Sequence, residues 1–177
     1  GIAPLAALAR GTDEQETFAA AALAHLALSI DNQVAITQAG GITPLVALLL
    51  VALARDGADE QKTKAAGALA NLSFDNADNQ LAIVEATGIE PLVALAGDGT
   101  DEQKTLAADA LRNLAFENDD NQVAIAQAAG IAPLVALALD GTGEQKTTAA
   151  GALRNLAANA DNQLAISQAG GIAPLLA

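Results

Sequence analysis

The chain has 177 residues, of which 52% are hydrophobic and only 2% aromatic, with no cysteine and a formal net charge of −13. Absence of cysteine excludes a disulfide framework and any thiolate site. An acidic chain without a basic stripe lacks the electrostatic footprint needed for nucleic acid or an anionic membrane surface.

One phrase, Gly-Ile-x-Pro-Leu, opens at Gly1, Gly41, Gly88 and Gly130 and again at Gly171, at intervals of 40, 47, 42 and 41 residues. That period is the span of two or three stacked helices. The reading is therefore one array, 1–177, with repeats at 1–40, 41–87, 88–129 and 130–170 and a partial repeat at 171–177. The predicted fold class is all-α, an α-solenoid in which each unit buries its apolar face against its neighbours. Because the pattern begins in mid-phrase and a fifth opening starts near the end, the chain is expected to be a piece of a longer array.

Within a repeat the elements follow in order. Pro91 sits in a first turn, where its missing N–H is harmless, and Gly88 is expected to end the preceding helix in a left-handed conformation. In the second repeat Pro44 to Asp59 spans 15 positions against 10 from Pro91 to Asp101. The added Val51-Ala52-Leu53 predicts an opening helix about 7.5 Å longer, at 1.5 Å per residue, with an apolar tip. The apolar run containing it, Pro44 to Ala54, has 11 residues, short of the roughly 20 that cross a bilayer as a helix; the chain is read as soluble, with no membrane insertion.

A long helix follows. Thr12 with Gln15, Thr100 with Gln103 and Thr142 with Gln145 have capping-box spacing, while Ala58 in the second repeat leaves Asp59 as the expected substitute cap. Ala107, Ala110, Leu111 and Leu114 form the apolar stripe of an amphipathic helix, matched in the first repeat by Ala19, Ala22, Leu23 and Leu26 and in the fourth by Ala149, Ala152, Leu153 and Leu156. A shorter helix then opens at Asp31-Asn32-Gln33, Asp78-Asn79-Gln80, Asp120-Asn121-Gln122 and Asp161-Asn162-Gln163. No strand pattern competes.

The period, the three helices, the Gly-Ile-x-Pro-Leu-Val opening and the Ala-Leu-Arg-Asn-Leu-Ala close at Ala110 to Ala115 and Ala152 to Ala157 resemble the armadillo repeat family, which includes importin-α and β-catenin. The resemblance covers the whole chain and implies a right-handed superhelix. It implies that the long helices line a concave groove in which an asparagine near the end of each holds an extended peptide; that motif falls on Asn71, Asn113 and Asn155, with His25 in the equivalent place of the first repeat. An amide offers donor and acceptor together, so a ladder of them matches the alternating groups of a strand-like ligand. The tryptophans of the importin-like groove are replaced here by Ala21, Gly67, Asp109 and Gly151, which argues against lysine slots of that kind. Positions four apart on a helix share a face, so Asp109, Asn113 and Glu117 are expected to form one polar line with Asp75 close by, flanked by Arg112 and Arg154. Helix-end capping is the structural alternative for the asparagines, and solvation and helix dipoles are the simpler account of most of the acids.

One His, three Ser, no Cys and no Tyr supply no nucleophile with a base and no ligand cluster, and the acidic runs lack the Gly and Glu of a calcium loop. No catalytic, cofactor or metal site is assigned. The expected function is a non-enzymatic scaffold holding an extended, partly basic protein segment along the groove; the alternative is an assembly subunit or spacer packing through its edges or convex face. The resemblance favours a cytoplasmic or nuclear location, which the residues themselves do not address.

Overall fold

The computed structural model describes residues 2–8, 12–53 and 58–172. These residues form helices joined by short turns, with no strand among them, in two compact units, 1–91 and 92–177. The first repeat contributes α1 (Ile2–Leu8), α2 (Asp13–Leu26) and α3 (Ile30–Gln38), and the second α4 (Ile42–Leu53), α5 (Asp59–Ser73) and α6 (Ala77–Glu85). The third gives α7 (Ile89–Asp98), α8 (Asp101–Ala115) and α9 (Asp119–Gln127), and the fourth α10 (Ile131–Asp140), α11 (Gly143–Leu156) and α12 (Ala160–Gln168).

In the first unit α5 packs on α2 and α4, and in the second α11 packs on α8 and α10. The predicted stripe is core: Ala107, Ala110, Leu111 and Leu114 are fully buried, as are Ala149, Ala152, Leu153 and Leu156. Alanine keeps helix propensity high and leaves little side chain between helices, so leucines of neighbouring elements fill the space. In the first repeat Ala22 and Leu26 are only half-buried.

Three capping boxes form as predicted, with Thr12, Thr100 and Thr142 each paired reciprocally with the glutamine three residues on. The second repeat corrects the expectation. Ala58 is the N-cap with no side-chain cap bond, and Asp59 is the first helical residue. The caps of the short helices also lie earlier than the Asp-Asn-Gln signal suggested: Asn76, Asn118 and Asn159 accept the orphan N–H groups. The recurring Asn-Gln pairs have another task. Asn79 and Gln80 donate to the carbonyls of Leu72 and Ser73, and Asn121 and Gln122 to those of Leu114 and Ala115. The last carbonyls of each long helix, which have no intrahelical partner, are closed by the amides of the helix that follows.

Gly41, Gly88, Gly130 and Gly171, which open the later repeats, are not left-handed. The positive φ falls one residue earlier, on Gly40 (70°), Thr87 (61°), Ala129 (63°) and Gly170 (82°). Gly88 and Gly130 then donate their N–H to Ile83 and Ile125, closing the turn. Glycine is needed there for closeness: a Cβ at Gly130 would lie 2.7 Å from Ile125 Cγ2 and 2.9 Å from Ile125 O. This turn bends the chain by 80° between α3 and residues 42–50, and by 85° between α9 and α10.

Helix α4 is two residues longer than α7 or α10 over its described length. Ala52 is buried and Leu53 half-buried, while Leu50 beside them is exposed; positions 54–57 lie outside the described residues.

Candidate functional site

The residues of the expected ladder sit near the ends of the long helices, and neighbouring long helices hold them in place. In the first unit Asn71 Nδ2 donates to the carbonyl oxygen of Ala24, 2.9 Å away on α2. In the second unit Asn155 Nδ2 donates to the carbonyl oxygen of Arg112, 2.9 Å away on α8. Each amide thus grips the residue just before the ladder position of the preceding repeat. The helix-bonding role of the asparagine is present, and it uses one N–H. Among the described residues the Oδ1 of Asn71 and of Asn155 takes no hydrogen bond, and both side chains are half-exposed. Asn113 is buried to 7% exposure and accepts a long bond, 3.5 Å, from Arg112 Nη2.

His25 is exposed, and its Nδ1 lies 2.8 Å from the carbonyl oxygen of Ala21. A carbonyl only accepts, so Nδ1 carries the proton. The histidine is tied to its own helix rather than to a neighbour.

The polar line is shorter than the helix periodicity suggested. Asp109 and Arg112, one turn apart, form an ion pair at 2.7 Å beside Asn113. Burial raises the Asp109 carboxyl above its ordinary pKa; Arg112 opposes that shift and Glu144 adds to it. Glu144, from the first turn of α11, therefore acts on the same patch as Asp109. Glu117 does not join the line, because α8 ends at Ala115, Phe116 is extended, and Glu117 turns left-handed at φ 48°. Asp75 leaves α5 in the same way, at φ 49°. Both are exposed turn residues. Arg154 is exposed and makes no ion pair among the described residues. Gly151, one turn before Asn155, makes room for Arg112: a Cβ there would meet Arg112 Cδ at 2.9 Å.

Sequence reasoning overlooked three residues. The chain has three phenylalanines, and all are exposed: Phe18 by 65%, Phe74 by 56% and Phe116 by 45%. Each belongs to a long helix or its C-cap. The signal was available, since an alanine-leucine core with three aromatics invites the question of whether they are core at all.

No protein-family model and no curated protein sequence matches the chain. Solved structures do. A crystal structure of an engineered protein is 35% identical, with 98% of this chain and 69% of that one aligned at a TM-score of 0.88. A designed armadillo repeat protein is 30% identical over 96% of this chain and 70% of that one, with a TM-score of 0.87. Another designed armadillo repeat protein, in complex with the peptide (KR)4, is 27% identical over 98% of this chain and 72% of that one, again with a TM-score of 0.87.

Proposed function

Because the chain belongs to the armadillo repeat family, we propose that it is a non-enzymatic scaffold that holds an extended segment of another protein against its long helices. The observation that carries this reading is the state of the ladder amides. One N–H of Asn71 and one of Asn155 is fixed on the neighbouring repeat, so the planar amide is held in one orientation before any ligand arrives. Its oxygen and second N–H are then a preset acceptor and donor for an extended backbone, which lowers the ordering cost of binding.

The ligand is partly basic in this reading. Asp109 and Glu144 supply negative potential in the second unit, and a structural relative was solved with an alternating Lys-Arg peptide. Arg112 already pairs with Asp109, so a ligand cation displaces or shares that guanidinium. The test is selection of peptides from a displayed random library, followed by affinity measurement on wild type and on a variant carrying Asn71→Ala, Asn113→Ala and Asn155→Ala, with folding checked by circular dichroism. Peptides that bind wild type and lose at least ten-fold on the folded variant support the ladder. Selection of none, or no loss, removes it.

One observation favours the second reading, assembly through an edge. Val34, Leu81, Val123 and Leu164 occupy the same position of each short helix, are all more than a third exposed, and follow a first-turn aspartate by three residues. A folded partner that binds at standard interface size and is lost on changing these residues to serine, with peptide binding intact, selects this reading.

A further inference from the structure

The short helices of the first unit form an edge with five large apolar side chains that the core does not use. Leu28 in the α2–α3 turn, Ile30 and Val34 on α3, Phe74 at the C-cap of α5 and Leu81 on α6 are each 45–72% exposed. Single exposed apolar residues are ordinary, whereas a cluster of large ones marks an interaction surface. Helix phase fixes their placement. Ile30 and Val34, four apart, share a face of α3. Thr37, one turn further along that face, is hydrogen-bonded through its hydroxyl to Asn79 Oδ1 on α6. The face therefore borders α6, where Leu81 stands two residues after Asn79.

The amides behind this face are spent inside the protein. Gln33 Nε2 donates to the carbonyl oxygens of Ala27 and Asn71, at 3.0 Å each, and Gln33 Oε1 accepts from Asn76 at 3.1 Å. Asn79 and Gln80 close the end of α5. An extended chain laid over the apolar side chains would give up its backbone hydrogen bonds to water without replacing them. A helix satisfies its own backbone and presents an apolar stripe, so a helix is the form of partner this face takes.

Charge selects the sign of that partner. Asp31, Asp75, Asp78 and Glu85 are exposed on the same helices and turns. The lysines of this unit, Lys62 and Lys64, lie in the first two turns of α5, at least about 15 Å along that helix from Phe74 at 1.5 Å per residue. Two copies of the chain joined through this edge would set the same carboxylates against each other. A helix with lysine or arginine on both sides of its apolar stripe meets them with opposite charge.

We infer that the α3–α6 edge of the first unit is the docking site of a basic amphipathic helix from a partner protein. Ile30, Val34 and Leu81 receive its apolar stripe, and Asp31 and Asp78 face its flanking cations. This assignment rests on the edge reading above, to which it gives a partner chemistry, and not on the asparagine ladder.

The probe is a fluorescently labelled peptide of about 18 residues, five helical turns, with leucine at every third or fourth position and lysine or arginine on both flanks. It is titrated into the whole chain at low and at physiological salt. Val34→Ser with Leu81→Ser, both exposed in the wild type, is expected to weaken binding about ten-fold or more, with folding checked by circular dichroism. Asp31→Asn with Asp78→Asn is expected to weaken it less and to reduce its salt dependence. Asn71→Ala is expected to leave it unchanged, and amide resonances of α3 and α6 are expected to move on binding. A wild type that does not bind the peptide, a serine variant that binds it equally well, or equal binding of a peptide with its leucines dispersed around the helix overturns the assignment. A wild type that sediments as a dimer, and a serine variant that sediments as a monomer, give the face to a second copy instead. Loss of a folded partner on the serine variant, with no binding of the helical peptide, keeps the edge reading and removes the helix.

Discussion

The side-chain amide of Asn155 on α11 donates to the backbone carbonyl of Arg112 on α8 at 2.9 Å, one residue before the asparagine that Asn155 repeats. Asn71 holds Ala24 in the same way in the first unit. The residue proposed to meet a ligand is therefore a joint between repeats, and its substitution has two expected consequences that are measured separately.

Asn155→Ala is expected to lower stability by about 1 kcal/mol, the net worth of one partly buried hydrogen bond. Asn155→Asp should cost more, because it replaces the donor with a carboxylate facing the oxygen of Arg112. Urea midpoints at unchanged slope check both. An Asp variant as stable as wild type would remove the joint.

Ala129→Gly is expected to stabilise. Ala129 is held at φ 63°, where an L residue costs roughly 1–2 kcal/mol that glycine avoids, set against about 0.5–1 kcal/mol for the greater freedom of glycine in the unfolded chain. The net gain is a few tenths to about 1 kcal/mol, and more for Thr87→Gly, since a β-branched residue is worse placed at φ 61°. Gly40→Ala, at φ 70°, should show the opposite sign in the same unfolding experiment.

Gly130→Ala, one residue further, is expected to destabilise by about 1–3 kcal/mol through overpacking. Its Cβ would meet Ile125 at 2.7 Å and Val93 Cγ2 at 3.1 Å. Alanine is thus expected to be unfavourable at 130 and glycine favourable at 129, a pair of adjacent substitutions that one set of unfolding curves decides.

The Asp109 carboxyl should titrate above the ordinary aspartate range, chiefly because burial disfavours its charge. Glu144→Gln should lower that midpoint and Arg112→Gln raise it, as followed by carboxyl carbon NMR. The folded state holds this proton more tightly than the unfolded chain. The linkage therefore runs against stability as pH rises: the penalty is absent below the unfolded pKa and complete above the folded one. Asp109→Asn should flatten this part of the stability profile. A bound cationic segment should move the Asp109 midpoint down.

The helices, the capping boxes at Thr12, Thr100 and Thr142 and the Ala/Leu stripe were legible because each is a local pattern with a fixed period. What escaped the sequence depended on partners far along the chain. Asn79 and Gln80 look like helix-start residues until their amides are seen to close the carbonyls of Leu72 and Ser73. Gly88 and Gly130 look like left-handed stops, yet the steric demand comes from Ile83 and Ile125 and the strain sits on Thr87 and Ala129. In the candidate site the ladder position was readable from the motif, but the bond of Asn155 to Arg112 was not. Glu117 was misplaced because helical phase was carried past Ala115, where α8 has ended.

The stretch from the ladder position to the aspartate of the short helix is one residue shorter in the first and fourth repeats (His25 to Asp31, Asn155 to Asp161) than in the second and third (Asn71 to Asp78, Asn113 to Asp120). The same closing bond nevertheless forms, from Gln33 to Ala27 and Gln163 to Ala157 across six residues, and from Gln80 to Ser73 and Gln122 to Ala115 across seven. The additional residue lengthens α5 and α8 to 15 residues against 14 in α2 and α11, and the three-residue turn that follows takes a left-handed step at Asp75 or Glu117. Length can change at this point while both helices keep their seats, so these turns act as expansion joints. They are the places where such an array can acquire a new surface, an aromatic beside an acid included, without renegotiating its interior.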